Sequence, residues 1–212
     1  MIKEANIPQR YINKNFSNYK VEPINENAFE KVSNYLKEYK ELAKKGQWLL
    51  MTGEYGIGKT HLSIAMMKKI CYIIAGQAVE EYKEFPLSYF REKIVTRPVY
   101  FSKAPEFLEE IKSAYEYDNV LESDVLAKYK YKKFLVIDDL GSEKPSEWQQ
   151  EKMYSILDYR YSHLKPTVIT TNCDLNELVD RIGQRVVDRI QEAAGEHITG
   201  WQGESHRIQK SS

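Results

Sequence analysis

Eight consecutive residues, Gly53-Glu54-Tyr55-Gly56-Ile57-Gly58-Lys59-Thr60, set three glycines, an ammonium and a hydroxyl in the order GxxxxGKT. Glycines at those positions let the backbone curl until successive N–H groups face one centre. A helix opening at Lys59 adds the positive end of its dipole. Such a loop is a cradle for phosphate oxygens. Lys59 would reach the β- and γ-phosphates of ATP, and the Thr60 hydroxyl would ligate Mg2+. His61 follows directly and completes the candidate nucleotide contacts. A second element, Phe134-Leu135-Val136-Ile137-Asp138-Asp139, is an apolar run ending in two carboxylates. Carboxylates buried at a strand tip are costly unless a cation or water receives them. Beside a phosphate loop, Asp138 is expected to hold the Mg2+ shell and Asp139 to orient or deprotonate the attacking water. The third element is Val168-Ile169-Thr170-Thr171-Asn172, whose terminal amide could hydrogen-bond the γ-phosphate or that water. The fourth is an arginine row. Arg181, Arg185 and Arg189 stand at i, i+4 and i+8 and share one face if their helix is continuous, but Gly183 falls among them.

The elements that must carry these residues alternate in type. A helix is expected from Asn27 to Lys45, with Asn27 and Glu30 as its capping pair and Gly46 as its stop. Trp48–Met51 reads as a buried strand, and the next helix runs from Lys59 or Thr60 to about Ala75. Residues 76–98 show no clean period and read as an insertion. Strands are then expected at Val99–Phe101, Phe134–Ile137 and Thr167–Thr170, with a short fifth at His197–Thr199. Helices open near Pro105, at Ser146 with Gln149 as capping partner, and at Asp174 with Glu177. Apolar strands alternating with amphipathic helices imply an α/β fold with a parallel sheet covered on both faces. At 212 residues there is room for one domain. Lys+Arg and Asp+Glu both number 31, which excludes coating of nucleic acid or membrane by bulk charge and leaves a local basic groove open. Cys71 and Cys173 are too few for a four-cysteine zinc site. No apolar run approaches the roughly 18 residues of a membrane span and no signal-peptide core opens the chain, so a cytoplasmic protein without a membrane partner is expected.

Taken in order, Asp138-Asp139-Leu140-Gly141-Ser142-Glu143-Lys144, Glu147-Trp148, Tyr159-Arg160-Tyr161 and Pro166–Asn172 resemble the AAA+ helicase-loader family, the DnaC/DnaI proteins and their relative IstB. The opening Ile7-Pro8-Gln9-Arg10-Tyr11 and the closing Gly203-Glu204-Ser205-His206-Arg207 are similar too. The resemblance implies a P-loop AAA+ core with a five-stranded parallel sheet and little or no C-terminal lid. Residues 1–46 would form the adenine-side segment and its helix, and 47–212 the core. It implies Walker A roles for Lys59 and Thr60, Walker B roles for Asp138 and Asp139, and a sensor role for Asn172. Arg189 takes the place of the arginine finger that reaches a neighbouring subunit's γ-phosphate, Arg207 takes the second sensor position, and Ile7–Tyr11 lines the adenine side. The expected activity is that of an ATPase that assembles on ATP, binds single-stranded DNA and serves a DnaB-type replicative helicase. A transposition helper of the IstB kind and a weakly hydrolysing ATP-gated clamp are the alternatives. Walker B ends here in Asp-Asp rather than Asp-Glu, one methylene short, so slow or triggered hydrolysis is expected. About fifty residues precede the loop, which leaves no separate N-terminal helicase-binding domain expected.

Lys128-Tyr129-Lys130-Tyr131-Lys132-Lys133 alternates base and aromatic ahead of the third strand. Lysines neutralise phosphates and tyrosines stack on splayed bases. Similarity to the family adds that the stretch between the second and third strands meets DNA, which here includes Lys112, Tyr115 and Tyr117. The competing reading has the tyrosines packed on the sheet edge and the lysines solvated at a helix end.

Overall fold

Every strand of the sheet divides its side chains between two helical layers. In the computed structural model, residues 5–81, 83, 98–116 and 122–201 are described, with side chains left out at 114–116, 122 and 201. Five parallel strands, β1 (Leu49–Gly53), β2 (Val99–Lys103), β3 (Phe134–Leu140), β4 (Thr167–Thr171) and β5 (Ile198–Trp201), stand in the order β2-β3-β4-β1-β5. Leu49, Met51, Phe101, Phe134, Val136 and Val168 face α1 (Glu26–Lys44) and α2 (Lys59–Glu81). Leu50, Tyr100, Leu135, Ile137 and Ile169 face the other layer. That layer is α3 (Ala104–Glu116), α4 (Glu122–Lys130), α5 (Glu147–Ser162), α6 (Leu175–Ile182) and α7 (Gln184–Ala194). Residues alternate across a strand, so a sheet buried on both faces calls for near-continuous apolar runs, as in Leu49–Met51, Val99–Phe101 and Phe134–Ile137.

The helix starts follow local chemistry. Ser146 accepts from the Gln149 amide and Asp174 from the Glu177 amide, and each partner side chain returns the bond, closing two capping boxes. Gly183, at φ +89°, separates α6 from α7. The expected cap of α1 is not used. Asn25 is the N-cap and Asn27 lies inside the helix, because the buried Asn25 side chain secures the turn before it, accepting from the Glu22 amide and donating to the Lys20 carbonyl. α2 also runs past Ala75 to Glu81, since Ile70, Cys71 and Ile74 keep its buried face going. Most of the expected 76–98 insertion lies outside the described residues, and its first six positions belong to α2. At 23 residues α2 is long and apolar enough to cross a membrane by length and composition, beyond what the sequence reading allowed. Its buried apolar face, Leu62 to Ile74, packs in the core against the sheet, while Tyr72 and Val79 are exposed.

The N-terminal residues form a strap. The Phe101 amide donates to the Ala5 carbonyl at 2.9 Å and Asn6 donates to the Phe101 carbonyl at 3.0 Å, covering the edge of β2. Farther along, the buried Lys68 ammonium on α2 donates to the carbonyls of Ile12 (2.5 Å) and Lys14 (2.7 Å). The strap is thereby fastened to the helix that opens at the phosphate loop.

Candidate nucleotide-binding site

β1 ends in the glycine loop, and α2 begins at Lys59, the earlier of the two expected starts. Gly53, Gly56 and Gly58 all have positive φ, at 135°, 83° and 104°. At Gly58 the requirement is doubled. A Cβ there would also stand 3.0 Å from the Tyr19 ring, so the strap closes on the loop only over a glycine. Ile57 is buried, while Glu54 and Tyr55 are exposed. The His61 side chain turns away from the loop centre. Its Nε2 lies 2.9 Å from the Asn15 carbonyl and 3.0 Å from Asn18 Oδ1, and burial holds its pKa below the usual histidine value. His61 therefore joins the loop to the strap.

Adjacent residues of a regular strand point to opposite faces, which would separate Asp138 from Asp139. β3 avoids this with a bulge. Ile137 pairs with Ile169 and Leu140 with Thr171, three residues opposing two, and Asp139 takes φ +62°. Asp138 is buried, and its carboxylate accepts from Thr170 Oγ1 at 2.7 Å, with Thr60 Oγ1 at 2.9 and 3.0 Å from its two oxygens. Burial raises its pKa, opposed by those two hydroxyls and reinforced by Asp139. Thr170 also accepts from the Asp139 amide at 2.9 Å. This threonine is a site residue that sequence reasoning passed over; the available signal was the hydroxyl pair Thr170-Thr171 at the end of a buried strand.

Asn172, just past β4, connects the remaining groups. Its Oδ1 accepts from Lys59 Nζ at 2.7 Å and its Nδ2 donates to Asp139 Oδ1. Lys59 Nζ also donates to the carbonyls of Gly53 (2.6 Å) and Glu54 (2.7 Å). One network therefore unites Lys59, Thr60, Asp138, Asp139 and Asn172 from the ends of β1, β3 and β4, where ligands bind in open α/β sheets. A hydroxyl beside a carboxylate is a hard-oxygen pair suited to Mg2+, which keeps several waters and takes the rest of its shell from phosphates. A carboxylate whose pKa burial raises is costly in its charged form unless a cation receives it, which fits that role.

No protein-family model matches the chain. It is 25% identical over 180 residues to the replicative helicase loader DnaC of Escherichia coli, covering 84% of this chain and 63% of that one. It is 29% identical over 151 residues to the replicative helicase loader DnaI of Bacillus subtilis, covering 71% and 40%. The chain thus spans less than two thirds of the length of these curated relatives. A solved DnaC helicase loader structure superposes with a TM-score of 0.69 and 27% identity, over 93% of this chain and all of the other. The fold is the AAA+ core of the DnaC/DnaI loaders.

The other expected residues fare unevenly. Arg189, on α7, donates to Asp158 Oδ1 at 2.8 Å and to Glu192 Oε2 at 2.7 Å, and its guanidinium lies 4.8 Å from the Tyr161 ring centre. The Asp158 bond, first among these contacts, holds its pKa above the ordinary arginine value. The arginines do not form a single row, because Gly183 splits the helix. Arg181 donates to the Gly141 carbonyl, while Arg185 packs 4.1 Å over the Tyr154 ring. Arg207 and any C-terminal lid fall outside the described residues, as do Tyr117 and the Tyr115 side chain. The basic-aromatic run is divided. Tyr129 is fully buried, its hydroxyl 3.3 Å from Ser102 Oγ and 3.1 Å from Glu110, so it cannot stack on a base. Lys128 pairs with Glu110, whereas Tyr131 is 60% exposed.

Proposed function

We propose that this chain is an ATP-dependent loader of a DnaB-type replicative helicase, acting in the bacterial cytoplasm and assembling with copies of itself on ATP and single-stranded DNA. In this reading residues 1–46 form the adenine side and 47–212 the ATPase core. The network joining Lys59, Thr60, Asp138, Asp139 and Asn172 carries the proposal, together with the similarity to DnaC over nearly the whole chain. An arriving triphosphate would draw Lys59 from the Gly53 and Glu54 carbonyls and from Asn172, replacing neutral acceptors by charged oxygens. Thr60 and Asp138 would hold Mg2+, which neutralises charge at the phosphates. Asn172, relieved of Lys59, would still hold Asp139 beside the attacking water. Arg189 would complete the site of the next subunit.

Two observations support slow turnover until a partner acts: Asp139 is committed to Asn172, and Arg189 to carboxylates of its own chain. The second favours an ATP-gated clamp as an alternative, in which Arg189 never leaves those carboxylates. Capture of the host's replicative helicase by the immobilised chain tests the proposal. Retention with ATP that is lost with ADP is expected, together with stimulated phosphate release. Capture that ignores nucleotide, or turnover that helicase and DNA leave unchanged, would favour the clamp, and absence of capture would remove the helicase from the reading.

A further inference from the structure

We propose that the end of the sheet opposite the nucleotide site binds single-stranded nucleic acid through Lys130, Tyr131, Lys133, Tyr159, His163 and Lys165. β3 and β4 are parallel neighbours paired from Leu135 and Thr167, so the residues entering them, Tyr131–Lys133 and His163–Pro166, run side by side. The aromatic part is a short ladder. Tyr131 meets Tyr159 edge-on, with centroids 5.4 Å apart, and Tyr159 stacks on His163 at 3.8 Å and 16°. Lys130 Nζ lies 5.6 Å from the Tyr159 ring centre. Tyr131 and His163 are exposed, so flat surfaces remain for unpaired bases.

The cationic part adjoins it. A cleft of about 200 Å³ is lined by Lys133 and Lys165 together with the apolar Ile74, Leu164 and Pro166, and no carboxylate lines it among the described residues. Beneath lies Arg160, fully buried, which donates to the carbonyls of Tyr129, Lys132 and Pro166 and so fixes both entering segments. Burial, then the Arg160 and Lys133 charges, holds the Lys165 pKa below the lysine norm. The two cleft lysines face no carboxylate among the described residues of the lining, and a phosphate backbone supplies the anion. The larger cleft, about 710 Å³ between Asn6–Pro8, α3 and α4, is lined by Glu106, Glu109 and Glu110 and suits a polyanion poorly.

This inference rests on the reading of the chain as a DNA-binding ATPase, so its test separates the two. Binding of a fluorescent oligothymidylate to the full chain is measured by anisotropy across a salt series, with and without ATP. Lys133→Ala/Lys165→Ala should lower the slope of log affinity against log salt by about 1.4, since each neutralised phosphate of a single strand contributes about 0.7. Tyr131→Ala should weaken binding about five- to a hundredfold at fixed salt with the slope unchanged. Circular dichroism checks that each variant is folded. Wild-type affinity in both variants would overturn the surface and leave the ATPase reading standing. A wild-type chain that binds no oligothymidylate in either nucleotide state would overturn both. Polyglutamate bound through the two lysines, in preference to the oligonucleotide, would overturn the surface in favour of an acidic polypeptide.

Discussion

Asp158→Asn should make the ATPase faster. Arg189 cannot serve two carboxylates of its own chain and a neighbour's γ-phosphate at the same time. Its Nε sits 2.8 Å from Asp158 and its Nη1 2.7 Å from Glu192, with side chains 31%, 35% and 53% exposed for Arg189, Asp158 and Glu192. Ion pairs this accessible are screened, and measured examples contribute about 0.2–1 kcal/mol. The Asp158 pair, the less exposed of the two, belongs near the upper end. Removing its charge while keeping an acceptor should therefore free the guanidinium by up to about fivefold, because about 1.4 kcal/mol is a factor of ten. Phosphate release is measured across protein concentrations. The expected outcome is a two- to fivefold gain where assembly is incomplete, with unchanged ATP affinity. Adding Arg189→Ala should erase the gain and lower turnover by about 10³-fold or more, the scale of a lost arginine finger. Unchanged or reduced turnover in Asp158→Asn would refute the idea that this in-chain pair restrains Arg189.

Lys59→Ala should abolish binding of a fluorescent ATP analogue with little change in the melting curve; undiminished affinity would sink the phosphate-site assignment. Asp138→Asn should stabilise the nucleotide-free protein at neutral pH. With a raised folded pKa, Asp138 penalises folding increasingly as pH climbs from the unfolded carboxylate value of about 3.9 through its own, and denaturation across pH should show that decline in wild type but not in the variant. Arg160→Met should cost about 3 kcal/mol or more in urea, because it strips donors from the Tyr129, Lys132 and Pro166 carbonyls and the Thr167 hydroxyl; a loss below about 1 kcal/mol would show that these groups find other partners.

The site was legible where chemistry is local. The glycine loop, the Ser146 and Asp174 capping boxes and the apolar strands follow from residue types at fixed spacing, and the structure has them. What escaped depends on pairing between distant segments. The Asp138–Asp139 bulge exists because β4 offers Thr170 and Thr171 in a shifted register, and a lone strand has no register to shift. Tyr129 alternates with lysines like an exposed residue, yet it sits on the face of α4 that meets Phe107 and Tyr100, which only the docked helices define. Asn27 scored as a cap by spacing, and Asn25 displaced it by tying the preceding turn. Nothing in the local sequence marks Lys68 and Arg160 as buried cations. Each is buried because carbonyls from remote segments converge on it.

Arg160 also has a kinetic meaning. Its guanidinium, with burial lowering its pKa to about 9, bonds at once to the chain entering β3 and the chain entering β4 from its place on α5. Opening any one of those segments alone would leave a buried charge facing broken bonds, so the three should open as one cooperative unit. Amide hydrogens at the starts of β3 and β4 and in the last turn of α5 should then exchange with a common free energy, closer to that of the sheet centre than their position at its margin suggests.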